Sequence, residues 1–256
     1  MRTFKHSGAA GDLLYSLPVV KQLGGGDFCL HLDQMNWIGQ HYYGNLPTPF
    51  HQNRLNQQDF EYMRDFMLAQ TYITDFRVLD PKTDEITHNL DNFRPAFVGH
   101  PGNYVDIYAT TFRITDTDAQ AQLRNTPWLT VPEVTVIPDR SIVINRTQRW
   151  LPPRPGPEWE QWLALDWDKD AVFVGLPDEY VAFQQQIGWD IPYIETSTQL
   201  ELAQIIAGAK FFIGNQSQAL ALSIGLGVHT FCELRRDLPV ERNECYFPTH
   251  PKVRYF

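Results

Sequence analysis

The chain has 256 residues, 43% of them hydrophobic and 20% charged, which is enough apolar side chain to bury a core and argues against intrinsic disorder. A formal net charge of -9 argues against a sequence-independent grip on a nucleic-acid backbone, which needs a basic surface, so nucleic acid is not expected as a partner. The three cysteines, Cys29, Cys232 and Cys245, lack CxxC or metal spacing and suit a reducing compartment. No run reaches the ~20 apolar residues that cross a bilayer, and the N-terminus has no signal-peptide pattern, so a cytoplasmic protein is expected.

Residues 2–6 read as a short strand, followed by the loop Ser7-Gly8-Ala9-Ala10-Gly11-Asp12. From Asp12 the spacing of Leu13, Leu14, Leu17, Val20 and Leu23 predicts a helix, with Pro18 either kinking it or lying near its start. Gly24-Gly25-Gly26 stops that helix, and residues 27–32 (DFCLHL) read as the next strand. A β-loop-α-β unit has a right-handed crossover and implies a parallel sheet. Residues 34–70 are rich in Asn, Gln, His and aromatics and are expected to be irregular apart from a helix near 57–69. Residues 72–79 read as a strand and 103–112 as a helix, with Tyr104, Ile107, Tyr108 and Phe112 as a core-packing stripe. Residues 115–138 carry Pro127, Pro132 and Pro138 without a sustained helical period and mark the joint between two domains, set at 1–135 and 136–256. The last residues are given the option of returning to the first domain.

The second half alternates again. Residues 141–145 (SIVIN) read as a buried strand, and Arg146-Thr147-Gln148-Arg149-Trp150 as the loop at its carboxyl end. Four prolines enforce an extended connection before a helix at 158–165, then follow a strand at 171–175, a helix at 178–186 and a short strand at 192–194. Thr198 and Glu201 fit a capping box for a helix to 207. Residues 211–227 (FFIGNQSQALALSIGLG) read as strand, polar turn and helix, ending at Gly225 or Gly227, and residues 228–232 as another strand. Such a turn points helix N–H groups at the crevice above a parallel sheet, a spot that favours an anion, although most such turns bind nothing. The fold class that follows is α/β, two Rossmann-like parallel-sheet domains facing a cleft.

Residues 211–227 resemble the FIGNDSGPMHLAAALG segment of the ADP-heptose lipopolysaccharide heptosyltransferase family, two-domain GT-B glycosyltransferases. Gly11-Asp12-Leu13-Leu14-Tyr15-Ser16-Leu17-Pro18 resembles its GDxLLxxP segment, and Gln148-Arg149-Trp150-Leu151-Pro152 its K-R-W-P loop. The matches cover most of 136–235 but only the first ~30 residues of the N-terminal half. The chain is also short for that family, which implies a trimmed acceptor-side half. Gln216 stands where the family has Asp, Ala221 where it has His, and Gln148 where it has a basic residue. The family's acidic residue sits against the donor sugar, so the resemblance does not carry over the sugar's identity.

The resemblance implies an inverting, metal-independent glycosyltransferase with a nucleotide-sugar donor, a carbohydrate or other hydroxyl-bearing acceptor, and no cofactor. Such transfer needs a base for the acceptor hydroxyl and donors for the departing diphosphate. Asp12 is the candidate base; the alternative is that it caps the helix. Arg146, Arg149, Asn215, Gln216 and Ser217 are candidates for the diphosphate, against ordinary roles as surface cations or turn residues. Glu233 is a candidate for ribose hydroxyls or a plain charged loop residue. Lys5, His6 and Gly11 are candidates on the acceptor side, and no metal ligands are expected. A catalytically inactive GT-B nucleotide- or sugar-binding module and a sugar-nucleotide epimerase are the competing readings. A dinucleotide-dependent oxidoreductase is disfavoured because residues 7–12 lack a full GxGxxG.

Overall fold

The computed structural model describes residues 1–33, 55–93, 103–235 and 250–256, and the chain divides into two units, Met1–Arg124 and Asn125–Phe256. Each unit carries one parallel sheet flanked by helices, the α/β architecture expected.

In the first unit, β1 (Thr3–His6) leads through a short loop into α1 (Ala10–Gln22), which returns the chain to β2 (Gly26–Leu30) beside β1. Pro18 lies inside α1 and the helix continues through it. The glycine run then stops α1: Gly24, Gly25 and Gly26 all have positive φ, and a Cβ at Gly25 would stand 2.0 Å from the Tyr72 carbonyl oxygen. Only glycine fits there, because the chain entering β2 presses its backbone against Tyr72, the residue before β3, whose carbonyl accepts the Gly26 N–H at 3.0 Å. Next come α2 (Gln57–Leu68), capped by Asn56 and Asp59 in a reciprocal box, and β3 (Ile73–Val78). The two-residue β4 (His88–Asn89) pairs with β1 on its other side, giving the order β3-β2-β1-β4. Helix α3 (Tyr104–Thr111) buries Val105, Ile107, Tyr108 and Ala109 and packs on α1.

The joint differs from expectation. Instead of lacking helix it contains α4 (Thr117–Asn125). That helix buries no residue, so it has no apolar stripe for a periodicity reading to detect. It starts because the Asp116 carboxylate accepts the Ala119 N–H at 2.8 Å, and Arg124 at its end pairs with Asp106 of α3. The stretch after it, assigned from sequence to the first domain up to 135, packs on the second unit. The Trp128 and Leu129 N–H groups both donate to the Gly225 carbonyl, at 2.9 and 3.0 Å, and both side chains are buried.

The second unit builds a six-stranded parallel sheet in the order β10-β9-β8-β5-β6-β7. Its strands are β5 (Ile142–Asn145), β6 (Ala171–Val174), β7 (Tyr193–Ile194), β8 (Phe211–Asn215), β9 (His229–Glu233) and β10 (Val253–Tyr255). The connecting helices are α5 (Glu158–Leu163), α6 (Pro177–Ile187), α7 (Gln199–Gly208) and α8 (Gln218–Gly225). β5 and β6 are buried along their length, as apolar runs in a parallel sheet covered on both faces should be. Trp159, Trp162, Phe173, Phe183 and Trp189 dominate the core on one face of this sheet. Thr198 caps α7 by accepting the Glu201 N–H at 3.2 Å, but the Glu201 carboxylate reaches the Ser197 N–H rather than that of Thr198, so the box is displaced by one residue. The last residues do not return to the first unit, because β10 hydrogen-bonds to β9.

Candidate functional site

In each parallel sheet the carboxyl ends of the strands are the edge where loops lead into helix N-termini, and ligands of such sheets bind there. The candidates in the first unit gather at the end of β1. Asp12 is the third residue of α1 and half-buried; the N-cap position belongs to Ala9, whose methyl group supplies no capping oxygen. Gly11 beside it has ordinary helical backbone, and a Cβ built there meets no described atom within 4 Å. Among the described residues, neither φ nor packing requires glycine at this position.

Lys5 and His6, the other acceptor-side candidates, are engaged within the protein. Lys5 Nζ lies 2.6 Å from Asp91 Oδ2 in a largely buried ion pair. His6 is fully buried: its Nδ1 accepts the Gly8 N–H at 2.8 Å and its Nε2 lies 2.8 Å from the Tyr108 hydroxyl. Asp91 also accepts both the N–H and the hydroxyl of Ser7, at 3.1 and 2.7 Å. Burial pushes the Asp91 carboxyl up, but the His6 ring, Lys5 and Ser7 together outweigh it and hold the pKa at about 2. Asp91 escaped the sequence reading because it sits on a single 3-10 turn, Leu90–Asn92, behind a two-residue strand, with no periodic pattern around it.

In the second unit the strand ends bring together Asn145, Arg146, Asn215 and Glu233. Arg146 and Glu233, expected to meet a diphosphate and a ribose, meet each other instead. Each is 1% exposed. Arg146 Nε donates to Glu233 Oε2 at 2.5 Å and Nη2 to Oε1 at 3.2 Å, while Nη1 donates to Gln186 Oε1 at 2.7 Å. The Trp159 indole N–H donates to the same carboxylate at 2.8 Å, and its ring lies 5.9 Å from the guanidinium carbon. A charge with this burial is tolerated when paired and hydrogen-bonded, and here the pair is bidentate and each guanidinium nitrogen donates a hydrogen bond.

Asn215 and Ser217 also serve the loops directly. Asn215 Oδ1 accepts the Thr147 N–H at 2.9 Å and its Nδ2 donates to the Thr147 carbonyl at 2.7 Å, so it mimics a strand partner for the loop after β5. Ser217 caps α8, accepting the Leu220 N–H at 3.4 Å, and its hydroxyl lies 3.3 Å from Asn145 Oδ1. Asn145 reaches across to the Val174 carbonyl at 2.8 Å. Gln216, in the polar turn between β8 and α8, is buried. Arg149 lies on the 3-10 turn Gln148–Trp150 immediately beyond Thr147, and the neighbouring Gln148 amide donates to the Asp178 carboxylate at 3.2 Å. Glu179, in the first turn of α6, is partly buried; burial raises its carboxyl pKa. Asn145, Thr147, Trp159 and Gln186 were missed from sequence. The one available signal was the polar final residue of the apolar run IVIN.

Among the described residues no group of His, Cys, Asp and Glu side chains could hold a metal ion, and no helix is long and apolar enough to cross a membrane.

Two α/β units, each built on one parallel sheet with these connections, give a fold similar to that of solved GT-B heptosyltransferases. No family model and no curated protein matches the sequence, so the likeness is one of fold. Among solved structures, a glycosyl transferase family 9 protein from Veillonella parvula is similar with a TM-score of 0.63 at 11% identity, over 99% of this chain and 84% of that one. The E. coli heptosyltransferase WaaC with ADP gives 0.58 at 12% identity, over 100% and 93% of the two chains. E. coli ADP-heptose lps heptosyltransferase II gives 0.53 at 12% identity, over 100% and 90%.

Proposed function

We propose that this protein is an inverting, metal-independent glycosyltransferase that moves a sugar from a nucleotide-sugar donor to an acceptor hydroxyl. The observation that carries the reading is the place of Asp12 in the first turn of α1, at the carboxyl end of β1 and next to Gly11, where an added Cβ would meet no described atom within 4 Å. A carboxylate at the carboxyl end of a parallel strand lies where such sheets bind ligands, and it can serve as the base for an acceptor hydroxyl.

In this mechanism Asp12 takes the acceptor proton as the acceptor oxygen bonds to the anomeric carbon. The bond from that carbon to the diphosphate breaks, and the leaving nucleoside diphosphate carries the electron pair away. Arg149 and the N-terminal N–H groups of α8 receive its charge, which is the role assigned to Asn215, Gln216 and Ser217 as the residues that shape the turn. Arg146 and Glu233 do not touch substrate in this scheme; they brace the strand ends around it. Supplying the charge from a cation and a helix end is what makes a metal unnecessary. The cytoplasmic location belongs to the same reading and is supported by the buried free thiols Cys29 and Cys232.

Two of the similar structures are described with ADP or as ADP-heptose enzymes, so ADP-sugars are the first probes. The test incubates the purified protein with a nucleotide-sugar and acceptor panel and measures nucleoside diphosphate release. Asp12→Asn should abolish acceptor-dependent release while the donor still raises the melting temperature of the variant. Equal turnover in the variant would sink the assignment of Asp12, and donor binding without any release by wild type would favour the inactive binding module.

A further inference from the structure

The turn that follows β1 carries two backbone N–H groups of the kind that receive phosphate in other α/β proteins, and both are consumed internally. The Ser7 N–H donates to Asp91 Oδ1 at 3.1 Å and the Gly8 N–H to His6 Nδ1 at 2.8 Å. An imidazole nitrogen that accepts a hydrogen bond carries no proton, so in the neutral ring the hydrogen sits on Nε2, facing the Tyr108 hydroxyl. The ring is fully buried and stacked on Phe93 with centroids 6.3 Å apart. Its orientation is therefore set from two sides, by Tyr108 at one nitrogen and Phe93 along one face.

We propose that His6 is a positioning residue for Asp12: by accepting the Gly8 N–H at Nδ1 it sets the path of residues 7–9, and with it the placement of the Asp12 carboxylate on the first turn of α1. The proposal rests on the reading of Asp12 as the base. The mechanical link is short. Helix α1 has no side-chain cap of its own, since its N-cap is Ala9, so the approach to the helix must be held from outside it. The Ala9 carbonyl accepts the Leu13 N–H at 3.0 Å, and Asp12 sits within that first turn. Fixing the amide of Gly8 fixes the residue before Ala9, and hence the direction in which the first turn begins. Asp91 fixes the residue before that. The two acceptors together leave the peptides that lead to Asp12 little rotational freedom, and preorganisation of this kind is what a base needs to meet its proton in line.

Two substitutions separate positioning from packing. His6→Asn keeps an acceptor one bond from Cγ, where Nδ1 stands, and loses the group facing Tyr108. His6→Gln places its polar atoms one bond further out, toward Tyr108, and removes the acceptor from Gly8. Both lose the ring and its stacking on Phe93, so the packing cost is common to the two. In the full-length protein, hydrogen exchange of the Gly8 amide should speed up about tenfold or more in His6→Gln and change far less in His6→Asn, as expected when a buried hydrogen bond loses its acceptor. The carboxyl carbon resonance of Asp12 should move in His6→Gln and stay near its wild-type position in His6→Asn. With an active donor, His6→Gln should lose kcat with little change in donor KM. Equal effects of the two variants on Gly8 and Asp12 would overturn the proposal, and so would an unchanged Asp12 signal in His6→Gln. If Asp12→Asn turns over normally, the base assignment fails, while the exchange and resonance measurements still decide whether His6 sets the loop.

Discussion

Arg146 and Glu233 form a bidentate ion pair across the end of β8, one following β5 and the other closing β9 on the far side of it. Trp159 of α5 and Gln186 of α6 complete it, so one buried knot ties two strands and two helices at the edge where ligands of such sheets bind. Removing one member leaves the other charged and uncompensated. Glu233→Ala or Arg146→Ala should therefore cost about 3–5 kcal/mol, whereas a double apolar replacement of similar volume should cost much less. Urea unfolding of the single and double variants checks this; a double variant as unstable as the sum of the singles would contradict it.

Gly11 and Gly25 should behave oppositely on replacement by Ala. At Gly25 the new Cβ meets the Tyr72 carbonyl oxygen at 2.0 Å with φ at +70°, so the chain must shift and stability should fall by about 1–3 kcal/mol. At Gly11 the Cβ has room inside a helix, where Ala is favoured over Gly, so stability should hold or rise by up to about 1 kcal/mol. If the space over Gly11 receives the acceptor, Gly11→Ala should nonetheless lower turnover. Melting curves and acceptor kinetics on the two variants separate the cases.

Asp91 makes stability depend on acid pH. Its carboxyl is held at about 2, below its ordinary value of 3.8. A folded pKa below the unfolded one contributes stability that is complete above about pH 4 and is lost as pH falls through about 2. The stability gap between wild type and Asp91→Asn should accordingly narrow between pH 5 and the acid limit of unfolding, measured by urea titrations. A gap that stays constant with pH would show that the charge of Asp91 is not what stabilises the loop.

Cys29 and Cys232 should be inert to thiol reagents while the protein is folded. Both are buried, and burial pushes the Cys29 thiol up to about 11 and that of Cys232 higher still, so almost no thiolate is present at neutral pH. Peptide mapping after brief alkylation should find both unmodified until denaturant is added. Labelling of either in the native protein would contradict the burial described.

Much of the fold was legible because local patterns and tertiary structure agree. The apolar run of β5, the glycine stop at Gly24-Gly25-Gly26, the cap at Thr198 and the strand–turn–helix of β8 and α8 all lie within a residue or two of their expected places. Each depends on neighbours in sequence: periodicity, a positive φ, a side chain reaching its own helix. Helix α4 was not legible because it buries nothing, and β10 because a three-residue strand is defined by the neighbour it pairs with.

The amino-acid sequence by itself determined the alternation of strands and helices, the polar turn after β8, and the place of Asp12 just beyond a glycine loop. Only the tertiary structure decided what the polar residues at those strand ends do. Arg146 and Glu233 are 87 residues apart in the chain, and Lys5 and Asp91 are 86 apart. Whether a charge faces solvent, a ligand or another charge depends on which strand ends the sheet order makes neighbours, and that order is set by long-range packing. The sequence spacing around each residue could not contain it.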